Sequence, residues 1–183
     1  MKPGLAWITG GSSGIGRAIA VRLIADGWRV AATARSVEAL AEFAASPEAR
    51  GQVFAYAADA TDRQAMVDTA AKIEAERGPV DLLVCSAGPY VAFGLADWSA
   101  DKMMNLMKLN VGGVANALEA VLPRFLARDK GHIAIVSSLT QYRGMGRTVA
   151  YGASKSALRT IAESLRLLAR GTGIKVQIIV PGY

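Results

Sequence analysis

Strand-like and helix-like stretches alternate six times along the 183 residues, and that alternation restricts the chain to a parallel sheet covered on both faces by helices. The strand-like stretches are residues 4–9, Val30 to Ala34, Gln52 to Ala57, Asp81 to Ser86, His132 to Ser137 and Lys175 to Val180. The fourth is continuously apolar in its middle, as a strand buried on both faces should be. Between them, Ile15, Ile19 and Leu23 predict a helix with one apolar face, which Gly27 stops. Ser36 can cap a short helix that Ser46-Pro47 breaks, and Thr61 with Gln64 forms a capping box for a helix that Gly78-Pro79 ends after Arg77. A long helix from about Ser99 to Ala127 places Met103, Met107, Asn110, Val114, Leu118 and Val121 on one stripe. A last helix carries Tyr151 and extends to about Arg170, and no linker or low-complexity tract interrupts the pattern, so residues 1–183 are expected to form one domain.

Glycines 10, 14 and 16 lie between the first strand and the first helix. Lacking side chains, they permit a tight turn and let the backbone approach a pyrophosphate, whose charge then faces a helix N-terminus. Their spacing is GxxxGxG rather than GxGxxG. At the end of the second strand, where an acidic residue would bond the ribose hydroxyls of NAD, the chain has Ala34-Arg35-Ser36. With no carboxylate to repel a 2′-phosphate and a guanidinium suited to grip one, NADP(H) is preferred over NAD(H).

Tyr151 and Lys155 are four positions apart on a helix and so face the same way, on a stripe continued by Leu158, Ala162 and Leu165. A lone tyrosine gives up its proton only near pH ~10, and a neighbouring ammonium is the device that makes a phenol useful for proton transfer at neutral pH. Ser138 precedes the tyrosine by thirteen positions, with Ser137 one register away and turned to the other face by strand alternation. Asn110 is the one amide in an apolar helical stripe and must meet a carbonyl, a side chain or water there.

Together, Thr9-Gly-Gly-Ser-Ser-Gly-Ile-Gly16, Asn110, Ser138 and Tyr151-Gly-Ala-Ser-Lys155 resemble the short-chain dehydrogenase/reductase family, over Leu5 to Tyr183. The resemblance implies a Rossmann-type doubly wound α/β fold with six parallel strands in the order 3-2-1-4-5-6, its final edge strand missing. It implies that Gly10, Gly14 and Gly16 bind the cofactor pyrophosphate, lined by Ser12, Ser13 and Ile15. Arg35 and Ser36 are expected at the 2′-phosphate end, Asp59 at the adenine amino group, and Ala87 and Gly88 beside the cofactor, where Cys85-Ser86 replace two asparagines of the family. Pro181 and Gly182, after the sixth strand, are also assigned to the cofactor. In the resembled family Tyr151 is the general acid or base, Lys155 lowers its pKa and holds the nicotinamide ribose, and Ser138 donates to the substrate oxygen. Asn110 bends its helix and holds a water leading to Lys155. The family usually continues past this Pro-Gly into a substrate lid, so the domain is expected to lack one and to enclose substrate weakly.

The expected activity is carbonyl reduction or secondary-alcohol oxidation, with a catalytically weak dinucleotide-binding regulatory protein of the same fold as the alternative. Tyr90, Gln141, Tyr142, Arg143 and Met145 are expected to line the substrate pocket without a decisive charge pattern. A formal charge of +6 could suggest nucleic acid, but the basic residues are scattered and not interleaved with aromatics. Cys85, the single cysteine, lies in an apolar run, and neither it nor His132 has a metal or nucleophile partner at a recognisable spacing. No run approaches the roughly 18 apolar residues of a membrane span and no secretory leader is evident, so a cytoplasmic homodimer or homotetramer is expected, with no nucleic-acid, metal or membrane partner.

Overall fold

The computed structural model describes residues 3–182; Tyr183, where the resemblance ends, lies outside them. Six parallel strands form one sheet: β1 (Leu5–Thr9), β2 (Arg29–Ala34), β3 (Val53–Ala57), β4 (Leu82–Cys85), β5 (Gly131–Val136) and β6 (Ile174–Ile179). Their order, β3-β2-β1-β4-β5-β6, is the one expected for a doubly wound Rossmann-type sheet. β1 lies in its middle, paired with β2 from Leu5 opposite Arg29 and with β4 from Ala6 opposite Leu82.

Alternation along β1 divides the core in two. Leu5 and Trp7 point to the face covered by α3 (Arg63–Arg77), α5 (Gly113–Arg128) and α6 (Val149–Leu168), where they join Met66, Ile73, Val121, Phe125, Leu158 and Ala162. Ala6 and Ile8 point to the face covered by α1 (Gly14–Ala25) and α2 (Val37–Ala45), with Ala20, Ile24, Leu40 and Phe43. Trp7 is fully buried, and its indole N–H donates to Thr33 Oγ1 at 2.9 Å, so the largest side chain of the central strand leaves no unmet donor. The crossover direction reverses between β1 and β4, which opens a crevice at the carboxyl ends of these strands.

The structure corrects three local expectations. On α1 the inward stripe is Gly16, Ala20 and Ile24, one residue round from Ile15, Ile19 and Leu23, and Ile15 is 46% exposed. The cause is the contact of Gly16 with the Gly10 backbone, which turns the smallest residues toward the sheet. On α3 the cap is Asp62, whose side chain accepts from the Ala65 N–H at 3.0 Å, rather than the Thr61/Gln64 box. The long helix between β4 and β5 is not continuous: α4 (Ala100–Met107) and α5 are separated by a π-helical turn, Lys108–Gly112, in which the Gly113 N–H reaches back to the Lys108 carbonyl. Asn110 lies in that turn. No helix among the described residues is long and apolar enough to cross a membrane.

Candidate active site

A cavity of about 520 Å³ occupies the crevice at the carboxyl ends of β1, β2 and β4. One end is the glycine-rich turn. Gly10 has φ +71°, its N–H donates to the Thr33 carbonyl at 2.8 Å, and a Cβ there would meet the Ala87 backbone nitrogen at 2.7 Å. A Cβ on Gly16 would collide with the Gly10 carbonyl oxygen, so both positions require glycine for close approach. α1 opens at Gly14 after an extended Ser13 whose side chain makes no capping hydrogen bond. Its first turn is therefore left without a side-chain acceptor, at a point where Ser12, Ser13, Gly14, Ile15 and Gly16 all line the cavity. That is the donor arrangement an anionic pyrophosphate fits.

Arg35, Ser36 and Asp59 line the same cavity beyond β2 and β3. Ser36 Oγ accepts the Ala39 N–H at 3.0 Å and so caps α2, as its position predicts. Asp59 is held below the usual carboxylate range, first by the Thr61 N–H that it accepts at 2.8 Å and further by the charges of Arg35 and Lys108. Cations thus gather here around one engaged carboxylate.

Ala87, Gly88, Tyr151 and Lys155 line the opposite end. Lys155 is 4% exposed, its Nζ donates to the Val136 carbonyl at 2.9 Å, and burial pushes its pKa down from 10.5 to about 8. Nζ lies 5.5 Å from the centre of the Tyr151 ring, which the Tyr90 ring meets edge-on at 5.1 Å and 83°. Fully buried, Asn110 donates from Nδ2 to Ser154 Oγ at 2.9 Å and to the Pro89 carbonyl at 3.3 Å. Its Oδ1 is buried without a hydrogen-bond partner among the described residues and borders Gly88, beside Lys155 Nζ.

Other expected residues lie apart from this lining. Ser138 is half-buried at the start of the single-turn helix Leu139–Gln141, where its Oγ accepts the Thr140 N–H at 3.3 Å; its neighbour Ser137 lines the cavity and donates to the Lys155 carbonyl at 3.1 Å. Pro181 and Gly182 follow β6 and do not line it. Gln141, Tyr142, Arg143 and Met145 line a second cavity, beside the face of α6 that carries Val149, Ala153 and Ser156. Unanticipated from the sequence are Thr33, Ala58, Leu109 and Val136, which line the main cavity, and Ser154 behind it. The strand-end residues could have been found from the rule that ligands bind at the carboxyl ends of a doubly wound sheet. Ser154 stands within the Tyr151-Gly-Ala-Ser-Lys155 stretch, but no local pattern gives it a role of its own.

Cys85 and His132 take no part. Burial pushes the Cys85 thiol up to about 12, and burial together with the Lys175 charge lowers the His132 pKa. Among the described residues no three His, Cys, Asp or Glu side chains gather to hold a metal ion.

Comparison with known proteins places this geometry in context. The family model for short chain dehydrogenase matches residues 5–183. An uncharacterized oxidoreductase of Myxococcus xanthus is 37% identical over 179 residues, which are 97% of this chain and 71% of that protein. Among solved structures, an NAD+-bound xylitol dehydrogenase superposes with TM-score 0.93 at 30% identity, over 98% of this chain and 70% of its own. An actinorhodin polyketide ketoreductase with NADPH superposes with TM-score 0.93 at 28% identity, over 99% and 70%.

Proposed function

Because the chain belongs to the short-chain dehydrogenase family, we propose that it is an NADP(H)-dependent oxidoreductase interconverting a carbonyl and a secondary alcohol, with Tyr151 as general acid and base. The observation that carries this reading is that Tyr151 and Lys155 face, across one cavity, the glycine turn fitted to a pyrophosphate. A bound nicotinamide supplies or takes the hydride; the protein's part is to orient substrate and manage the proton.

Tyr151 gives its phenolic proton to the carbonyl oxygen during reduction and removes the hydroxyl proton during oxidation. Lys155, with one N–H committed to the Val136 carbonyl, keeps the others for Tyr151 and the ribose side of the cavity. Ser138 uses its oxygen as acceptor for Thr140, which leaves its own O–H to donate to the developing oxyanion. Gly10, Ser12, Ser13, Gly14, Ile15 and Gly16 hold the pyrophosphate, with Ala87 and Gly88 alongside. Arg35 grips a 2′-phosphate, joined by Ser36 when its hydroxyl turns from Glu38, to which it donates at 3.0 Å, toward that phosphate, and Asp59 meets the adenine amino group. Asn110 holds a water toward Lys155 through its free Oδ1, and Pro181 with Gly182 close the nicotinamide end.

The same reading makes the protein a cytoplasmic enzyme working as a homodimer or homotetramer, which light scattering measures directly. The test of function is NADPH absorbance followed with a panel of ketones and aldehydes, repeated with Tyr151→Phe. Turnover that survives the substitution, or a panel on which the unmodified chain is inert, overturns the proposal.

A further inference from the structure

Ser154 is fully buried one residue before Lys155, and its hydroxyl stands between two groups of the candidate site. It lies 2.7 Å from the Tyr151 carbonyl oxygen and 2.9 Å from Asn110 Nδ2. A carbonyl oxygen has no proton to give, so the short bond to Tyr151 must use the serine's single O–H. The serine oxygen can then only accept from Asn110. The Pro89 carbonyl makes the same demand from the loop after β4, at the longer distance of 3.3 Å.

An amide has a donor end and an acceptor end, and the surrounding partners decide which way it faces. With Nδ2 turned to Ser154 and Pro89, Oδ1 is directed to the space beside Gly88. A Cβ built on Gly88 would lie 3.0 Å from Asn110 Oδ1 and 3.5 Å from Lys155 Nζ, so the amide oxygen and the ammonium flank the same small volume. The groups bounding Lys155 there are the Tyr151 ring on its own helix, the Val136 carbonyl on β5 and the Asn110 amide on the π-turn. Reversing the amide would set an N–H₂ donor against an ammonium, and neither could accept.

We propose that Ser154 is a positioning residue: by spending its proton on the Tyr151 carbonyl it fixes the polarity of the Asn110 amide, so that an acceptor and not a donor faces Lys155. This rests on the assignment of Tyr151 and Lys155 to proton transfer. It adds to that assignment a residue that touches neither substrate nor cofactor, and it accounts for which end of the amide, the oxygen, is the one left without a partner among the described residues.

The experiment uses the full chain and three substitutions, Ser154→Ala, Ser154→Thr and Ser154→Cys. Nuclear Overhauser contacts of the Asn110 side-chain amide protons report which way the amide faces, without any need for turnover. In the unmodified chain they are expected to Ser154 and Pro89. In Ser154→Ala, or in Ser154→Cys if the alanine variant does not fold, the Pro89 carbonyl and the Lys155 ammonium still oppose reversal, so contacts to the Gly88 α-protons are expected to appear as a minor set beside those to Pro89, and Ser154→Thr, which keeps the hydroxyl, restores the original set. Carbonyl reduction is expected to fall about tenfold in Ser154→Ala, the order expected for one lost buried hydrogen bond, and to recover in Ser154→Thr. Amide contacts that stay only on the Ser154 side in the alanine and cysteine variants, or that reach Gly88 in the unmodified chain, overturn the proposal. If the unmodified chain reduces no carbonyl, the oxidoreductase reading fails while the amide contacts still decide the role of Ser154.

Discussion

The ammonium of Lys155 donates to the carbonyl of Val136 at 2.9 Å. The adjoining Ser137 hydroxyl returns a bond to the Lys155 carbonyl at 3.1 Å, so the end of β5 holds this lysine at both its side chain and its backbone. A cation is thereby kept inside the protein with no carboxylate of the described residues beside it, and burial alone lowers its pKa from 10.5 to about 8.

Stability is expected to rise with pH through this residue. Between pH 8 and 10.5 the unfolded chain keeps a proton on Lys155 that the folded chain has released, so the folded state gains as pH rises across that window and carries the full cost of the buried charge below it. Urea unfolding at pH 7.5 and pH 10 measures the slope, and Lys155→Met removes this part of it. An unchanged slope in the variant would show that the lysine is not desolvated as described.

Tyr151→Phe should lower kcat for carbonyl reduction by about 10²–10⁴, the range for loss of a general acid. Cofactor affinity should stay within a few-fold, because the ring contact with Tyr90 does not use the hydroxyl. Steady-state rates paired with a fluorescence titration of NADPH separate the two quantities.

Arg35→Glu should weaken NADPH binding by about 10- to 100-fold, the scale of a lost charge-assisted hydrogen bond, and leave NADH within about threefold. Dissociation constants for both cofactors, taken at one ionic strength, provide the check. Equal losses for the two would remove the basis for preferring NADP(H).

Gly16→Ala should abolish detectable cofactor binding while costing about 1–3 kcal/mol of stability, the usual range for overpacking. The new methyl would strike the Gly10 carbonyl oxygen, which belongs to backbone and cannot rotate aside, so α1 must move away from the turn. Thermal melting and NADPH titration on the same sample read both effects.

Much of the fold was legible because its signals are local. Strand length, apolar continuity and glycine placement each lie within a few residues of the element they specify, whereas the sheet order is the one that the family resemblance implied. The errors arose where a distant contact outweighed a local pattern. α1 turned because Gly16 met Gly10 across the loop, and the helix after β4 took a π turn at the residue whose amide bonds Ser154 and Pro89. The cap of α3 is different, a competition between two neighbouring local acceptors: it moved by one residue, from Thr61 to Asp62, because the carboxylate of Asp62 reached the Ala65 N–H.

By itself the sequence determined a parallel sheet wrapped by helices, a glycine turn shaped for a pyrophosphate, and a phenol and an ammonium sharing one helical face, because each depends on backbone periodicity or on missing side chains at fixed spacing. Only the tertiary structure decided how deeply Lys155 is buried, which carbonyl holds it and which way Asn110 faces. Those properties arise between groups far apart in the chain, Asn110 and Ser154 being separated by 44 positions, and no local pattern carries the direction of a hydrogen bond.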